Sequence, residues 1–375
     1  MDKMADVLGR AGAWCGQNKY LSAIKNAFQN FMPLTIAGAI GVLWCNVLVN
    51  DQTGLGLFFK PIMALDFLNP AFQAVNFCTI SCITVGITLG IAQEIGIWNM
   101  GAEKAGYIPG LVGLAAWLSV TNTSHMVDGA KEAFTGIAGN ELGATGLFTG
   151  MIIGVLSVEL FCFFEKQDAL KIKMPEQVPP GVARAFEVLV PATITLIITA
   201  CIGSACYNLT GLYLNDVIKN GIQGPLGAVG ATIPGVMIIY LVIMLFWLVG
   251  IHGNNMLSAV KEALFTPLAL ENVEAFNKGE TPKNIINMYA LQMWGEFGGS
   301  GVTIGLVIAI MIFGKREDNK AIASLSLVPG LFNINETVTF GIPMVLNPIL
   351  GIPFVFACLV TILVGYVLTV IGFCP

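Results

Sequence analysis

The 375-residue chain is 55% hydrophobic and only 11% charged, with a net charge of −5 and a mean hydropathy of +0.78. A soluble domain carries about 25% charged residues, so this composition excludes a water-soluble globular fold, and the absence of a basic stripe argues against a nucleic-acid partner. The nine cysteines form no C-x-x-C pair, and Cys45, Cys78, Cys82, Cys201, Cys206 and Cys358 lie in apolar runs, which predicts small buried hydrophobes rather than disulfide partners or metal ligands.

The first thirty residues contain Asp2, Lys3, Asp6, Arg10, Lys19 and Lys25 and no continuous apolar core, so no cleavable signal peptide is expected. Their apolar members, Met4, Val7, Leu8, Ala11 and Trp14, then Leu21, Ile24 and Phe28, recur at helical spacing. This predicts an amphipathic helix over 1–30 lying on a membrane surface. Spans of roughly 20 apolar residues cross a hydrocarbon core. The candidates are 31–49, 71–92, 108–120, 142–164 (which contains Glu159), 188–207, 225–251, 297–313 and 349–373.

Lysine and arginine cluster at Lys3–Lys25, Lys166–Arg184 and Lys315–Lys320. The bias of such residues toward cytoplasmic loops places all three clusters, and the N-terminus, in the cytoplasm. Parity then demands one more crossing between the second and third clusters. The one candidate is His252–Leu270, a polar stretch holding Lys261 and Glu262, expected to be broken and buried in protein or lining a cavity. The expected fold is an all-α polytopic membrane protein of about 8–10 transmembrane helices. The polar, proline-containing stretch 166–184 reads as a cytoplasmic linker between an N-terminal half and a C-terminal half.

The chemistry-bearing residues concentrate in the C-terminal half. From Ala321 to Pro375 the one charged side chain is Glu336, within LVPGLFNINETVTFGIPMVLNPILGIPF. The prolines and glycines there predict two short helices meeting at Asn333, Asn335 and Glu336. An intramembrane carboxylate beside amides is a functional site by default, though Glu336 or Asn335 could instead cap the following helix. His252, one of two histidines, lies in FWLVGIHGNNML beside Gly253, Asn254 and Asn255. Imidazole, carboxylate and amides together satisfy both the donors and acceptors of hydroxyl groups, as a sugar presents them. Trp247 offers a flat face for a sugar ring or, alternatively, belongs to an interfacial belt.

Weaker candidates are Glu159, as a helix-packing carboxylate, Glu296, near a membrane surface, and His125, in a loop. The glycines Gly298, Gly299 and Gly301 lack the lysine of a phosphate-binding loop, so a helix break or close packing is expected. The sequence holds no nucleotide motif, catalytic triad or metal cluster. No catalytic residue, metal or cofactor is therefore expected on this chain. An ion-coupled secondary transporter, with Glu336 and His252 as a proton relay, is the alternative to a sugar carrier. A membrane transferase or scaffold would need a reactive constellation that is missing.

GIHGNN and NINETVTFGIPMVLNPILGIPF resemble the signature stretches of the IIC component of bacterial phosphotransferase-system sugar permeases, in the lactose/cellobiose/diacetylchitobiose group. YLSAIKNAFQNFMPLTIAGAI and GGSGVTIGL are similar to that family as well. The resemblance implies a homodimer in the bacterial inner membrane, with residues 31–165 as the dimerisation half. Residues 185–224 would supply its last helix and a connector, and 225–375 a sugar-binding domain that moves against it. Two re-entrant hairpins would cradle a β-linked disaccharide, with His252 and Glu336 near the hydroxyl that is phosphorylated and Trp247, Gly253, Asn254, Asn333 and Asn335 beside them. Phosphate would come from a cysteine of a separate cytoplasmic IIB protein, itself supplied by IIA. The family pattern also continues past Pro375 with a Val-Pro-Trp-Thr-Thr-type segment and a further helix, so the last domain is expected to lack its final helix.

Overall fold

The structure, a computed structural model, describes residues 2–51, 54–125, 134–175, 177–342, 344 and 347–374. It is helical apart from one two-residue antiparallel ladder, Ser124–His125 with Phe134–Thr135. Five helical stretches are long and apolar enough to cross a membrane: Lys19–Leu48, Lys60–Met100, Ala144–Glu165, Pro180–Thr210 and Ile349–Val370. Leu214–Gly230 and Ile233–Leu248 pass the same test only together and are bent by 77° to one another, and Ile108–Val120 and Thr303–Phe313 are shorter apolar helices. Each of the eight apolar runs in the sequence thus falls on one of these stretches. The chain divides into two compact units, Ser22–Gly224 and Met1–Leu21 with Pro225–Pro375.

The N-terminal segment differs from the single helix expected over 1–30. Helix α1 (Asp2–Gln17) ends at Asn18, and α2 (Lys19–Leu43) begins at once. The reason is local: the Asn18 side-chain oxygen accepts from the N–H groups of Tyr20 and Leu21, each at 3.1 Å, which is the N-cap arrangement that starts a new helix.

Within the unit Ser22–Gly224 follow α3 (Asn69–Cys78), α4 (Ile83–Met100), α5 (Ala102–Ala105), α6 (Ile108–Val120), α7 (Gly139–Leu142), α8 (Ala144–Glu165), α9 (Pro180–Thr210) and α10 (Leu214–Ile218). Its centre is α4, α6 and α8. Small residues let these helices approach closely, as in membrane helix pairs generally: a Cβ on Gly113 would strike Ala92, and one on Gly150 would strike Thr88. Pro180 occupies the first turn of α9, where a missing N–H costs nothing, so the helix starts inside the expected 166–184 linker. At one end of this unit the buried Glu165 carboxylate accepts from Lys104 at 2.8 Å and Arg184 at 2.9 Å, tying α8 to α5 and to the start of α9.

The other unit comprises α1 with α11 (Gly224–Gly230), α12 (Ile233–Leu248), α13 (Gly253–Asn277), α14 (Met288–Gly295), α15 (Thr303–Phe313), α16 (Glu317–Leu331), α17 (Glu336–Gly341) and α18 (Pro348–Val370). Tyr240, Ile243, Met244 and Trp247 of α12 form its core with Phe265, Leu291, Val307, Val338, Leu359 and Ile362. Gly12 of α1 lies against Phe246 and Ile251 at the end of α12. The polar stretch His252–Leu270, expected to be irregular, is instead part of an unbroken helix. The irregularity is confined to 249–252, because the polar groups of α13 find partners within this unit and need no break. At 1.5 Å per residue α13 is about 37 Å long.

Candidate functional site

Two helix ends build the site, and both end the same way. At the end of α12, Gly250 takes φ +81°, its N–H bonds the Trp247 carbonyl and that of Ile251 bonds the Phe246 carbonyl. At the end of α16, Asn333 takes φ +61°, its N–H bonds the Gly330 carbonyl and that of Ile334 bonds the Pro329 carbonyl. This paired bonding around a left-handed residue is the Schellman motif, which favours glycine and then asparagine. Each motif turns the chain so that the next residues begin a new helix: His252 caps α13, and Asn335 precedes α17.

His252 Nδ1 accepts from the Asn255 N–H at 3.3 Å. A neutral imidazole that accepts at Nδ1 carries its proton at Nε2. That Nε2 lies 3.3 Å from Glu336 Oε1, with both side chains partly open to solvent. At this separation the two groups touch each other, and a hydroxyl bound beside the pair can donate its proton to the carboxylate and accept from the imidazole N–H. Gly253 makes this approach feasible, since a Cβ there would collide with the Ile243 carbonyl.

The asparagines are structural supports as well as candidate ligands. Asn335 is buried and donates its amide to the Ser300 carbonyl at 2.8 Å; its side chain does not cap α17. Asn333 accepts from the Gly298 N–H at 2.8 Å. Asn254 donates to Ser300 Oγ at 2.8 Å and accepts from Lys261 Nζ at 3.3 Å. Asn255, exposed, contributes its backbone N–H to His252. The glycine run is a tight turn that receives these side chains. Gly298, Gly299 and Gly301 have φ of 81°, 94° and 80°, and a Cβ on Gly299 would lie 2.5 Å from Asn335 Cβ.

Trp247 differs from the expected open platform. It is 1% exposed, and its ring packs 4.4 Å from the His252 ring and 6.3 Å from Phe340. The cause is its place on the buried face of α12. It orients His252 from beneath, and its indole N–H meets no acceptor among the described residues. Glu296, expected near a membrane surface, is largely enclosed in this unit: it accepts from Tyr240 Oη at 2.8 Å and is paired with Lys261. Glu159 and His125 belong to the other unit, on α8 and in the short ladder. An apolar cavity of about 340 Å³ between α15 and α18, lined by Leu306, Leu350 and Phe354 among others, includes neither His252 nor Glu336.

Lys261, Tyr240 and Ser300 were not singled out from the sequence as site residues. Lys261 alone carried a signal, a cation in a stretch assigned to membrane depth. Ser300 has none, because its contacts are made across the fold.

The model of the family "Phosphotransferase system, EIIC" matches residues 25–358. The oligo-beta-mannoside-specific EIIC component of Bacillus subtilis (strain 168) is 32% identical over all of this chain and 83% of its own length. The cellobiose-specific EIIC component of Lactococcus lactis is 29% identical over 98% of this chain and 86% of its own length. The lactose-specific EIICB component of Staphylococcus aureus (strain COL) is 32% identical over 92% of this chain and 58% of its own length. The crystal structure of the transporter ChbC, the IIC component from the N,N′-diacetylchitobiose-specific phosphotransferase system, superimposes with a TM-score of 0.85 at 30% identity, covering 96% of this chain and 83% of that one. With a predominantly helical membrane fold and a family match across most of its length, the chain belongs to the EIIC family of phosphotransferase-system sugar permeases.

Proposed function

We propose that this chain binds a β-linked disaccharide against His252 and Glu336 and presents one of its hydroxyls for phosphorylation by a separate IIB protein. The observation that carries this reading is the 3.3 Å approach of His252 Nε2 to Glu336 Oε1 at two broken helix ends. The names of the relatives support the substrate class, since cellobiose, diacetylchitobiose and lactose are all β-linked. The EIICB name supports a IIB partner. Asn254, Asn255, Asn333 and Asn335, with Gly253 and Trp247, complete the site on this reading.

The unit Met1–Leu21 with Pro225–Pro375 serves as the sugar-carrying domain. The unit Ser22–Gly224 forms the contact of a homodimer, and the N-terminus lies in the cytoplasm. The carrying domain moves between the two membrane faces.

The test is uptake into vesicles holding the purified chain, with IIA, IIB and a phosphoenolpyruvate supply inside. Labelled cellobiose and N,N′-diacetylchitobiose are offered outside. Retention of a labelled sugar as its phosphate, only with IIB present, is expected. Accumulation of unmodified sugar that collapses with a protonophore would overturn the proposal and establish ion coupling.

A further inference from the structure

Beneath the site hydrogen bonds run from Lys261 to the Ser300 hydroxyl and, through the Ser300 backbone, on to Asn335. Lys261 is buried on α13 and paired with Glu296, with side chains 5% and 13% exposed. Tyr240 also donates to Glu296, at 2.8 Å. An ammonium has donors and no acceptor. The group of Asn254 that faces Lys261 must therefore be its carbonyl oxygen, and its NH₂ must turn to Ser300 Oγ, 2.8 Å away. The Ser300 carbonyl in turn holds Asn335, the residue before Glu336. Asn254 lies two residues from His252. One buried ammonium is thus joined to both halves of the site.

Stability alone does not account for this pair. Two buried charges cost desolvation energy, and apolar replacements of similar size are often neutral or stabilising. What a methionine and a glutamine could not supply is a fixed polarity for the Asn254 amide, which otherwise can flip. We infer that Lys261 and Glu296 are positioning residues: they lock the Asn254 amide and, through Ser300, the register of Asn335 and Glu336 against His252. The inference rests on the sugar site proposed above.

The test compares Lys261→Met/Glu296→Gln, Ser300→Ala and Glu336→Gln in the full chain in detergent. Thermal unfolding and binding of tritiated cellobiose and N,N′-diacetylchitobiose are both measured. The double variant leaves neither member of the pair alone, and Ser300→Ala removes one oxygen. Both are expected to unfold near the wild-type temperature and to bind sugar at least about tenfold more weakly, the scale of one lost charge-assisted bond. Adding Asn254→Ala to the double variant should weaken binding by less than Asn254→Ala does alone, because the orientation of its amide depends on the pair. Wild-type affinity in either the double variant or Ser300→Ala would overturn the inference, as would additive losses with Asn254→Ala. If the double variant does not fold, Ser300→Ala decides by the same criterion. Glu336→Gln separates the two levels: undiminished binding there removes the site itself, whereas binding lost there but kept in the other variants removes only the positioning role.

Discussion

His252 Nε2 and Glu336 Oε1 lie 3.3 Å apart, although they follow the ends of two different helices, α12 and α16. Neither side chain is carried on a regular element in mid-course. His252 stands two residues past Gly250 and Glu336 three past Asn333, and both turn residues lie in the left-handed region. Their meeting therefore depends on two backbone turns and on the glycine-rich turn that docks them, and each can be perturbed separately.

Replacing Glu336 with Gln keeps the shape and removes the charge. Sugar binding is expected to weaken by roughly 1.5–3 kcal/mol, the range for hydrogen bonds to charged groups, with thermal stability unchanged. His252→Ala should weaken binding similarly. Equilibrium binding of labelled disaccharide measures both, and unchanged affinity in either variant would remove that residue from the site.

The close approaches at Gly253 and Gly299 predict a contrast among glycines. An alanine at 253 meets the Ile243 carbonyl, and one at 299 meets Asn335 at a φ of +94°. Each should cost about 1–3 kcal/mol of stability, as overpacking does. Gly305, inside α15, has nothing within 4 Å of an added Cβ. Gly305→Ala should be neutral or stabilising by up to about 1 kcal/mol from helix propensity. Unfolding temperatures in detergent rank the three, and equal effects would refute the packing account.

Asn333 does two things, and two substitutions part them. Asn333→Gly keeps the backbone at φ +61° comfortable but loses the acceptor for the Gly298 N–H. Asn333→Ala loses the acceptor and adds left-handed strain of about 1–2 kcal/mol. The alanine variant should therefore unfold at the lower temperature, whereas sugar affinity should fall by a similar factor in both.

Glu165 lies outside the proposed site and provides the opposite pattern. Glu165→Gln strips a buried carboxylate from Lys104 and Arg184. Breaking a buried pair costs about 3–5 kcal/mol, and the exposure of Lys104 puts the expected loss at the lower end. Stability should fall while the surviving folded protein binds sugar with wild-type affinity. Weakened sugar binding at full stability would contradict the assignment of the site to the other unit.

Much of the fold was legible in the chain because a membrane imposes simple rules. Segments without charge have to span, so the eight apolar runs each reappear as apolar helical stretches. Glu336 and His252 stood out because ionisable groups are costly at membrane depth. Gly250 and Asn333 could be read as turn residues, since glycine and asparagine tolerate positive φ. The break at Asn18 was locally encoded too, but the helical spacing on both sides of it masked the cap.

What only the tertiary structure decided are contacts across the fold. From the sequence Trp247 is a ring face for a sugar or an interfacial-belt residue, yet its position on the core face of α12 buries it beneath His252. The stretch after His252 looked too polar to remain helical, yet α13 is continuous because Lys261 meets Glu296 from the turn before α15. Hydropathy reports what a segment costs to bury alone. It is blind to a partner brought from another helix, and in this protein such partners turn isolated charges and amides into one connected site.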